Sequence, residues 1–205
     1  MELKIANKWL QTCGLKGSGK TELSKYLLRL QRDHLIVDPL EEYNPKLYKV
    51  YRPSSVIDRR QRGDILLPEE EMEILIERVV KPQAKRGKLK LLLIDEANRF
   101  FPAGLRSPYF AGEMIDFNRH WGLTVVTVCR RPVQINTTLV ELSDYQIIFN
   151  LTGKNDLDYL DSLCQGFGDK VVDLPDYHFV IRHGKDIHLC SPIPLGRLDK
   201  ETREV

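Results

Sequence analysis

The residues that could do chemistry begin with a glycine-rich stretch near the amino terminus, which matches the pattern G-x-x-x-x-G-K-[ST]. Glycine tolerates the backbone angles that turn successive N–H groups inward around an anion. An apolar run from Trp9 precedes the stretch and an amphipathic helix follows it, so the helix N-terminus adds partial positive charge. We therefore expect a phosphate-binding loop made of Gly14, Leu15, Lys16, Gly17, Ser18, Gly19, Lys20 and Thr21.

Three side chains of this loop carry polar chemistry. The Lys20 ammonium can reach the β- and γ-phosphates of a nucleotide, and the Thr21 hydroxyl can bind Mg²⁺. Lys16 is either an additional phosphate contact or a solvated loop charge. In ATPases of the ParA type a lysine directly follows the first glycine of the loop. Leu15 follows Gly14 here, which excludes that class.

A pair of carboxylates follows a second apolar run. Asp95 and Glu96 come directly after four apolar residues, 91–94, which are typical of a buried parallel strand. Such a strand carries the pair to the carboxyl edge of the sheet, where ligands of open α/β sheets bind. There Asp95 can hold Mg²⁺, and Glu96 can orient or deprotonate a water for attack on a γ-phosphate. The alternative, a helix N-cap pair, is disfavoured by the loop upstream.

This pair favours hydrolysis over the other reactions of phosphate-loop proteins. A nucleotide kinase needs a phosphate acceptor and not an activated water. A switch GTPase carries an N-K-x-D motif, which residues 153–156 do not match. The sequence therefore predicts a nucleotide hydrolase.

Strands alternate with helices along the chain, which predicts an α/β domain with a mostly parallel sheet. The expected strands are 1–13 (after a lead-in), 34–39, 47–51, 89–94, 123–129 and 145–151, and a hairpin of 177–182 and 186–190. The expected helices are 20–32, 68–87, 109–120, 138–142 and 156–163. We expect Pro82 to break the last turn of the second helix, and Phe110, Met114 and Phe117 to face inward. Residues 1–192 are predicted to form one domain, with a polar tail over 193–205.

The amino-acid composition is typical of an ordinary globular protein. Of 205 residues, 42% are hydrophobic and 29% charged, and the net charge of +2 excludes a broadly basic nucleic-acid coat. We expect no membrane span and no signal peptide. The four cysteines lack metal-site spacing and read as reduced core thiols, and the histidines at 178, 183 and 188 read as half-exposed strand residues.

Several stretches resemble the FtsK–HerA superfamily of P-loop DNA-pumping ATPases. They are D-E-A-N-R-F at 95–100, N-R-H-W-G-L at 118–123, T-V-C-R-R-P at 127–132 and, less specifically, the region 36–43. The resemblance covers roughly residues 8–190 and is closest to the small genome-packaging ATPases of viruses with internal membranes. It implies a P-loop NTPase fold of the RecA/ASCE type with a C-terminal β-hairpin, in which the loop and the carboxylate pair are the Walker A and Walker B motifs. It also implies ATP and Mg²⁺ as ligands.

The resemblance also implies roles for two arginines. Family members usually place Gln at the end of the strand that follows the Walker B strand, as the γ-phosphate sensor, and Arg130 stands there in this chain. Either Arg130 contacts phosphate as a cation, or Thr127 or Asn136 senses it. Arg119 matches the Arg-His-x-Gly element and is the first candidate for an arginine finger donated to a neighbouring subunit. Its alternative is a cation at a helix C-terminus. The weaker finger candidates are Arg99 and Arg106.

The implied partners are double-stranded DNA, further copies of the chain in a hexameric or pentameric ring, and capsid or portal-vertex proteins. The implied place of action is the host cytoplasm, at the capsid vertex or in the virion. Two groups of basic residues either face DNA or are solvated: Arg59, Arg60 and Arg62, and Lys81, Lys85, Arg86, Lys88 and Lys90. The loop 99–108 is a further candidate for lining a channel. The alternatives are a phage-export ATPase of the zonula-occludens-toxin type and a nucleotide-dependent binding module with weak turnover.

Overall fold

The computed structural model describes residues 4–54, 67–104 and 109–194. Within them one eight-stranded sheet has the order β3-β2-β4-β5-β1-β6-β7-β8. The strands are β1 (Trp9–Cys13), β2 (His34–Val37), β3 (Val50–Tyr51), β4 (Leu91–Ile94), β5 (Thr124–Cys129), β6 (Tyr145–Phe149), β7 (Phe179–His183) and β8 (Asp186–Cys190). The pairings from β3 to β6 are parallel, and β7 and β8 add an antiparallel hairpin. The predicted fold class, a mostly parallel sheet with helices and a terminal hairpin, is confirmed.

Helices connect these strands and cover both faces of the sheet. They are α1 (Lys20–Leu30), α2 (Pro68–Leu75), a π-helical segment (Ile76–Val80), α3 (Lys81–Lys85), α4 (Tyr109–Phe117), α5 (Thr137–Glu141), α6 (Lys154–Leu163) and α7 (Asp169–Val172). Apolar residues of the central strands alternate between two buried clusters. One cluster contains Leu23 and Leu27 of α1, and the other contains Met72 of α2 and Met114 of α4. Burial on both faces explains why these strands are nearly continuous apolar runs.

The parallel order determines where the functional loops lie. Because β2, β4, β5, β1 and β6 run in the same direction, their carboxyl ends share one edge of the sheet. The loop 14–19 leaves β1 at this edge, and Asp95 leaves β4 two strand positions away. This edge is where open parallel sheets bind their ligands.

The second long helix of the chain differs from the prediction at Pro82. Pro82 does not break it, because the helix widens into the π-helical segment just before the proline and continues to Lys85. The Lys81 N–H donates to the Ile76 carbonyl, five residues back. This wider turn relieves the clash that a proline ring would make in a regular α-helix. Gly87, at φ +67°, then ends the helix as expected.

The structure agrees with some of the other expectations and contradicts one. Phe110 and Met114 are buried, but Phe117 is 46% exposed and lies against Trp121, with ring centroids 6.5 Å apart, so its predicted inward position is wrong. All four cysteines are free, and Cys13 and Cys129 are buried on adjacent strands. The basic loop 59–62 and Arg106 lie outside the described residues. In the described part of the chain, no helix is long and apolar enough to cross a membrane.

Candidate functional site

The glycine-rich loop is anchored between two strands at the ligand-binding edge. The Gly14 N–H donates to the Arg130 carbonyl at 3.2 Å, after β5, and the Leu15 N–H donates to the Asn150 carbonyl at 3.4 Å, after β6. A Cβ on Gly14 would lie 2.6 Å from the Cβ of Phe149, closer than packed carbons allow. Glycine is therefore required at this position for the loop to approach the sheet.

The end of the loop opens α1. Gly19 occupies the N-cap of α1 with φ +110°, a conformation that side chains disfavour. The Lys20 ammonium donates to the Leu15 carbonyl at 2.8 Å, so lysine and loop are already in contact. Burial lowers the pKa of Lys20, an effect that Asp95 and Glu96 oppose. The Ser18 Oγ is buried and has no hydrogen-bond partner among the described residues, as expected for a cradle that a ligand completes.

Asp95 follows β4 and is almost fully buried, at 7% exposure. Burial raises its pKa to about 7, the Glu96 N–H bond of 2.8 Å opposes this, and the negative charges of Glu42, Glu96 and Asp38 add to the rise. A buried carboxylate among other carboxylates is stabilised by a cation. The position therefore suits a group that holds a metal ion beside phosphates.

Glu96 lies next to Asp95 and is held by an arginine. Its backbone is in the left-handed region at φ +45°, which is uncommon for a side chain of this size. The Arg130 guanidinium donates from Nε to the Glu96 Oε1 at 3.0 Å, and its Nη2 lies 2.9 Å from the same oxygen. Glu96 and Arg130, predicted separately from β4 and β5, are thus brought together as an ion pair.

The oxygen donors at this edge fit Mg²⁺, which is bound through few protein ligands together with substrate phosphates. The Thr21 hydroxyl donates to the Glu42 Oε2 at 3.3 Å, and Glu42 is held by its N–H bond of 3.0 Å to buried Asp38. Asp95 supplies the carboxylate on the neighbouring strand. The described residues contain no cluster of three or more His, Cys, Asp or Glu side chains placed to hold a metal ion.

The side chains of both alternative sensors are engaged in other hydrogen bonds. Thr127 is buried within β5, where its hydroxyl bonds to the side chain of Gln11 at 2.5 Å. Asn136 caps α5 and accepts the Thr138 N–H at 3.0 Å. The third residue considered for γ-phosphate sensing, Arg130, is hydrogen-bonded to Glu96 of the carboxylate pair.

Arg119 lies at the opposite edge of the sheet. Its Nη2 is 2.6 Å from Asp144, which also accepts the Trp9 N–H at 2.9 Å, at the start of β1. The five residues of β1 separate this position from the loop, a distance of about 16 Å along the strand. Arg119 therefore does not contribute to its own subunit's site, and its role as a finger stays a prediction.

Arg131, Arg99 and Lys81 are basic residues of the other predicted elements. Arg131 donates from Nε to Asp156 at 2.8 Å, and Asp156 is 2% exposed, so the Arg-Pro element ties β5 to α6. Arg99 lies in a short 3₁₀ turn, Ala97–Arg99, after the carboxylate pair. In the basic group, Lys81 pairs with Glu113 at 2.6 Å, so its charge is already neutralised.

Sequence reasoning missed Glu42 and Tyr177 as individual site residues. Glu42 follows β2 at the same edge, and the rule that strand carboxyl ends converge would have placed it there. Tyr177 lies before β7, and a Cβ on Gly19 would be 3.5 Å from its Cδ1 atom. No sequence signal marks that contact, because it depends on how the β6–β7 connection crosses the loop.

No protein-family model and no curated protein sequence matches the chain. Among solved structures, the genome packaging NTPase B204 of Sulfolobus turreted icosahedral virus 2, in complex with AMPPCP, is similar with a TM-score of 0.77 and 23% identity, over 92% of this chain and 99% of that chain. The DNA-packaging ATPase B204 of Sulfolobus turreted icosahedral virus has a TM-score of 0.76 and 22% identity, over 93% and 100% of the two chains.

A more distant likeness is to the N-terminal domain of zonular occludens toxin from Neisseria meningitidis. Its TM-score is 0.55 at 11% identity, over 91% of this chain and 94% of that chain. The two B204 structures align over nearly their full length. The chain therefore has the P-loop NTPase fold of the viral genome-packaging NTPase B204.

Proposed function

We propose that this chain is a Mg²⁺-dependent ATPase that uses hydrolysis to move double-stranded viral DNA into a capsid. The observation that carries the proposal is the convergence of Lys20, Asp95 and Glu96 at one sheet edge, where the two carboxylates act on the pKa of the lysine. A phosphate cradle alone binds a nucleotide, whereas a cradle beside two carboxylates can also hold Mg²⁺ and activate water. The packaging part is supported by the structural likeness to B204, described as a genome packaging NTPase and a DNA-packaging ATPase.

Each side chain of the site has a distinct role in this proposal. Lys20 leaves the Leu15 carbonyl to bind the β- and γ-phosphates. Thr21 and Asp95 would hold Mg²⁺, which neutralises phosphate charge when it is bound. Glu96 accepts the proton of the attacking water. Arg130, once released from Glu96, is the cation that contacts the γ-phosphate.

Assembly completes the site in this proposal. Chains form a homo-oligomeric ring, and Arg119 of one subunit reaches the γ-phosphate in the next. Its distance from its own loop and its 62% exposed side chain support a role between subunits. Capsid or portal-vertex proteins are the proposed docking partners, with residues 1–192 acting as one ATPase domain.

The experiment measures ATP binding, phosphate release and DNA movement for the wild type and for Glu96→Gln. The substitution keeps the size of the side chain and removes the base, so we expect ATP to bind and turnover to fall at least about a hundredfold. Glu141→Gln, on the exposed surface of α5, is the matched control and keeps full turnover. Movement is read by displacement of a triplex-forming strand from duplex DNA. A wild type without ATPase activity under ring-forming conditions, with or without DNA, contradicts the proposal.

The second candidate is a nucleotide-dependent binding module with weak turnover. The ion pair between Arg130 and Glu96 favours it, because a carboxylate engaged by a guanidinium has fewer lone pairs free for a water proton. This candidate predicts tight ATP binding, a partner bound only with ATP, and turnover that DNA does not stimulate. The phage-export alternative predicts DNA-independent turnover and an association with membrane components.

A further inference from the structure

A cavity of about 240 Å³ lies directly beside the phosphate loop. One side of it is the loop itself, from Leu15 to Ser18. The other side consists of Asn150 and the three residues Asp176, Tyr177 and His178. Because the loop forms one wall, any group that fills the cavity lies next to the phosphates that the loop holds.

The second wall is fixed to the loop by hydrogen bonds. Asn150 accepts the Leu15 N–H at 3.4 Å through its carbonyl, and its side-chain amide donates to the Leu174 carbonyl at 3.0 Å. The His178 N–H donates to the Pro175 carbonyl at 3.0 Å. Asn150 thus connects the loop to the segment 174–178, which is held in a defined turn.

Tyr177 has an uncommon backbone conformation at the third position of the turn that the Pro175–His178 hydrogen bond closes. Its φ is +62°, in the left-handed region that large side chains avoid because Cβ crowds the following carbonyl. Strain of this kind persists where the surroundings impose it, and it is concentrated at ligand sites. The ring is nevertheless 58% exposed, although its edge lies near Gly19 at the start of α1. The ring therefore offers an aromatic face to solvent beside the phosphate loop.

We propose that Tyr177 forms the base subsite of the nucleotide whose phosphates the loop holds. This proposal rests on the proposed nucleotide-binding function. An exposed aromatic ring stacks on any base, and more strongly on the larger purines. Asp176 and His178 border the same cavity and supply the polar groups that can read the edge of the base. The ligand class is a purine nucleoside triphosphate.

The experiment compares ATP with inorganic tripolyphosphate, both with Mg²⁺, by calorimetric titration of the full chain. Wild type is expected to bind ATP more tightly than tripolyphosphate. Tyr177→Ala is expected to weaken ATP binding about tenfold or more and to leave tripolyphosphate binding unchanged. Tyr177→Phe keeps the ring and the affinity. Tyr26→Ala, which removes a partly exposed tyrosine of α1 that does not line this cavity, leaves both affinities as in the wild type.

A stability measurement separates a ligand role from a structural one. Tyr177→Gly removes the ring and also relieves the left-handed backbone, so its Tm is expected to equal or exceed that of the wild type while ATP affinity falls. A fall in Tm with unchanged ATP affinity would give Tyr177 a purely structural role and overturn the subsite. Unchanged ATP affinity in Tyr177→Ala also overturns the subsite and leaves the proposed function intact. If neither ligand binds wild type, the proposed function itself fails.

Discussion

Arg130 and Glu96 form an ion pair within the candidate site. Both bonds of the guanidinium go to one carboxylate oxygen, Oε1. The family resemblance places a neutral Gln where this chain has Arg130. A cation there can both bind the carboxylate and move to a phosphate, whereas an amide offers no full charge. The departure from the family pattern therefore couples the candidate sensor directly to the candidate base.

Replacing Arg130 with Ala tests this coupling. We expect turnover to fall about ten- to a hundredfold, because a cation that stabilises charge on the γ-phosphate is lost, with ATP affinity kept within a few-fold. The free energy of unfolding should change by no more than about 1 kcal/mol, since the Arg130 side chain is 49% exposed. Phosphate release and chemical denaturation provide the two readouts. Faster turnover in Arg130→Ala would instead assign Arg130 a restraining role on Glu96.

Arg131 and Arg119 form ion pairs of similar length with different surroundings. Asp156, the partner of Arg131, is 2% exposed, and its Oδ1 has no hydrogen-bond partner among the described residues. Arg131→Ala would leave this carboxylate buried and uncompensated, so we expect a loss of about 2–4 kcal/mol of unfolding free energy. Arg119→Ala removes a guanidinium that is 62% exposed and should cost at most about 1 kcal/mol. Equal losses in chemical denaturation would contradict this ranking.

The sheet order brings the functional loops together. β4 and β1 both neighbour β5, so the carboxylate pair, Arg130 and the phosphate loop follow three adjacent strands. The apolar runs of the sequence predict these strands, and the motif predicts the loop, because both depend on local pattern. The ion pair of Arg130 with Glu96 could not be predicted, since it requires knowing that β4 and β5 are neighbours. The inward position predicted for Phe117 is wrong for a related reason. Helical spacing predicts which face of a helix is apolar, but it does not predict how far along the helix other elements cover that face.

The π-helical segment before Pro82 makes a prediction about the long helix. Pro82→Ala should change the unfolding free energy by no more than about 1 kcal/mol, because the wide turn already avoids the clash of the proline ring. Alanine restores a backbone N–H donor, which favours the helix, but it also raises the conformational entropy of the unfolded chain, which opposes folding. Glu73→Pro, at an exposed position of α2, should cost about 3 kcal/mol or more, since α2 has no such widening. Thermal and chemical denaturation of the two variants provide the test. A large loss in Pro82→Ala would mean that the proline stabilises the helix.

Arg119 is the residue to which the proposed function gives a role between subunits. It lies about 16 Å from its own phosphate loop, at the far edge of the sheet. In a ring with heterologous contacts, one surface of each subunit meets a different surface of the next. A cation on one surface can then complete a site on the other. In the proposed ring, hydrolysis would therefore depend on the neighbouring subunit.

Mixing two inactive variants tests this arrangement. Glu96→Gln lacks the base but keeps Arg119, and Arg119→Ala lacks the finger but keeps the base. In an equimolar ring, a site is competent when its own Glu96 and its neighbour's Arg119 are both intact, so about a quarter of wild-type phosphate release should return. Mixing Arg119→Ala with an Arg119→Ala/Glu96→Gln double variant is the control, because it supplies no finger and should restore nothing. Full activity of Arg119→Ala alone would remove Arg119 from the site, and no recovery on mixing would place its function within its own subunit.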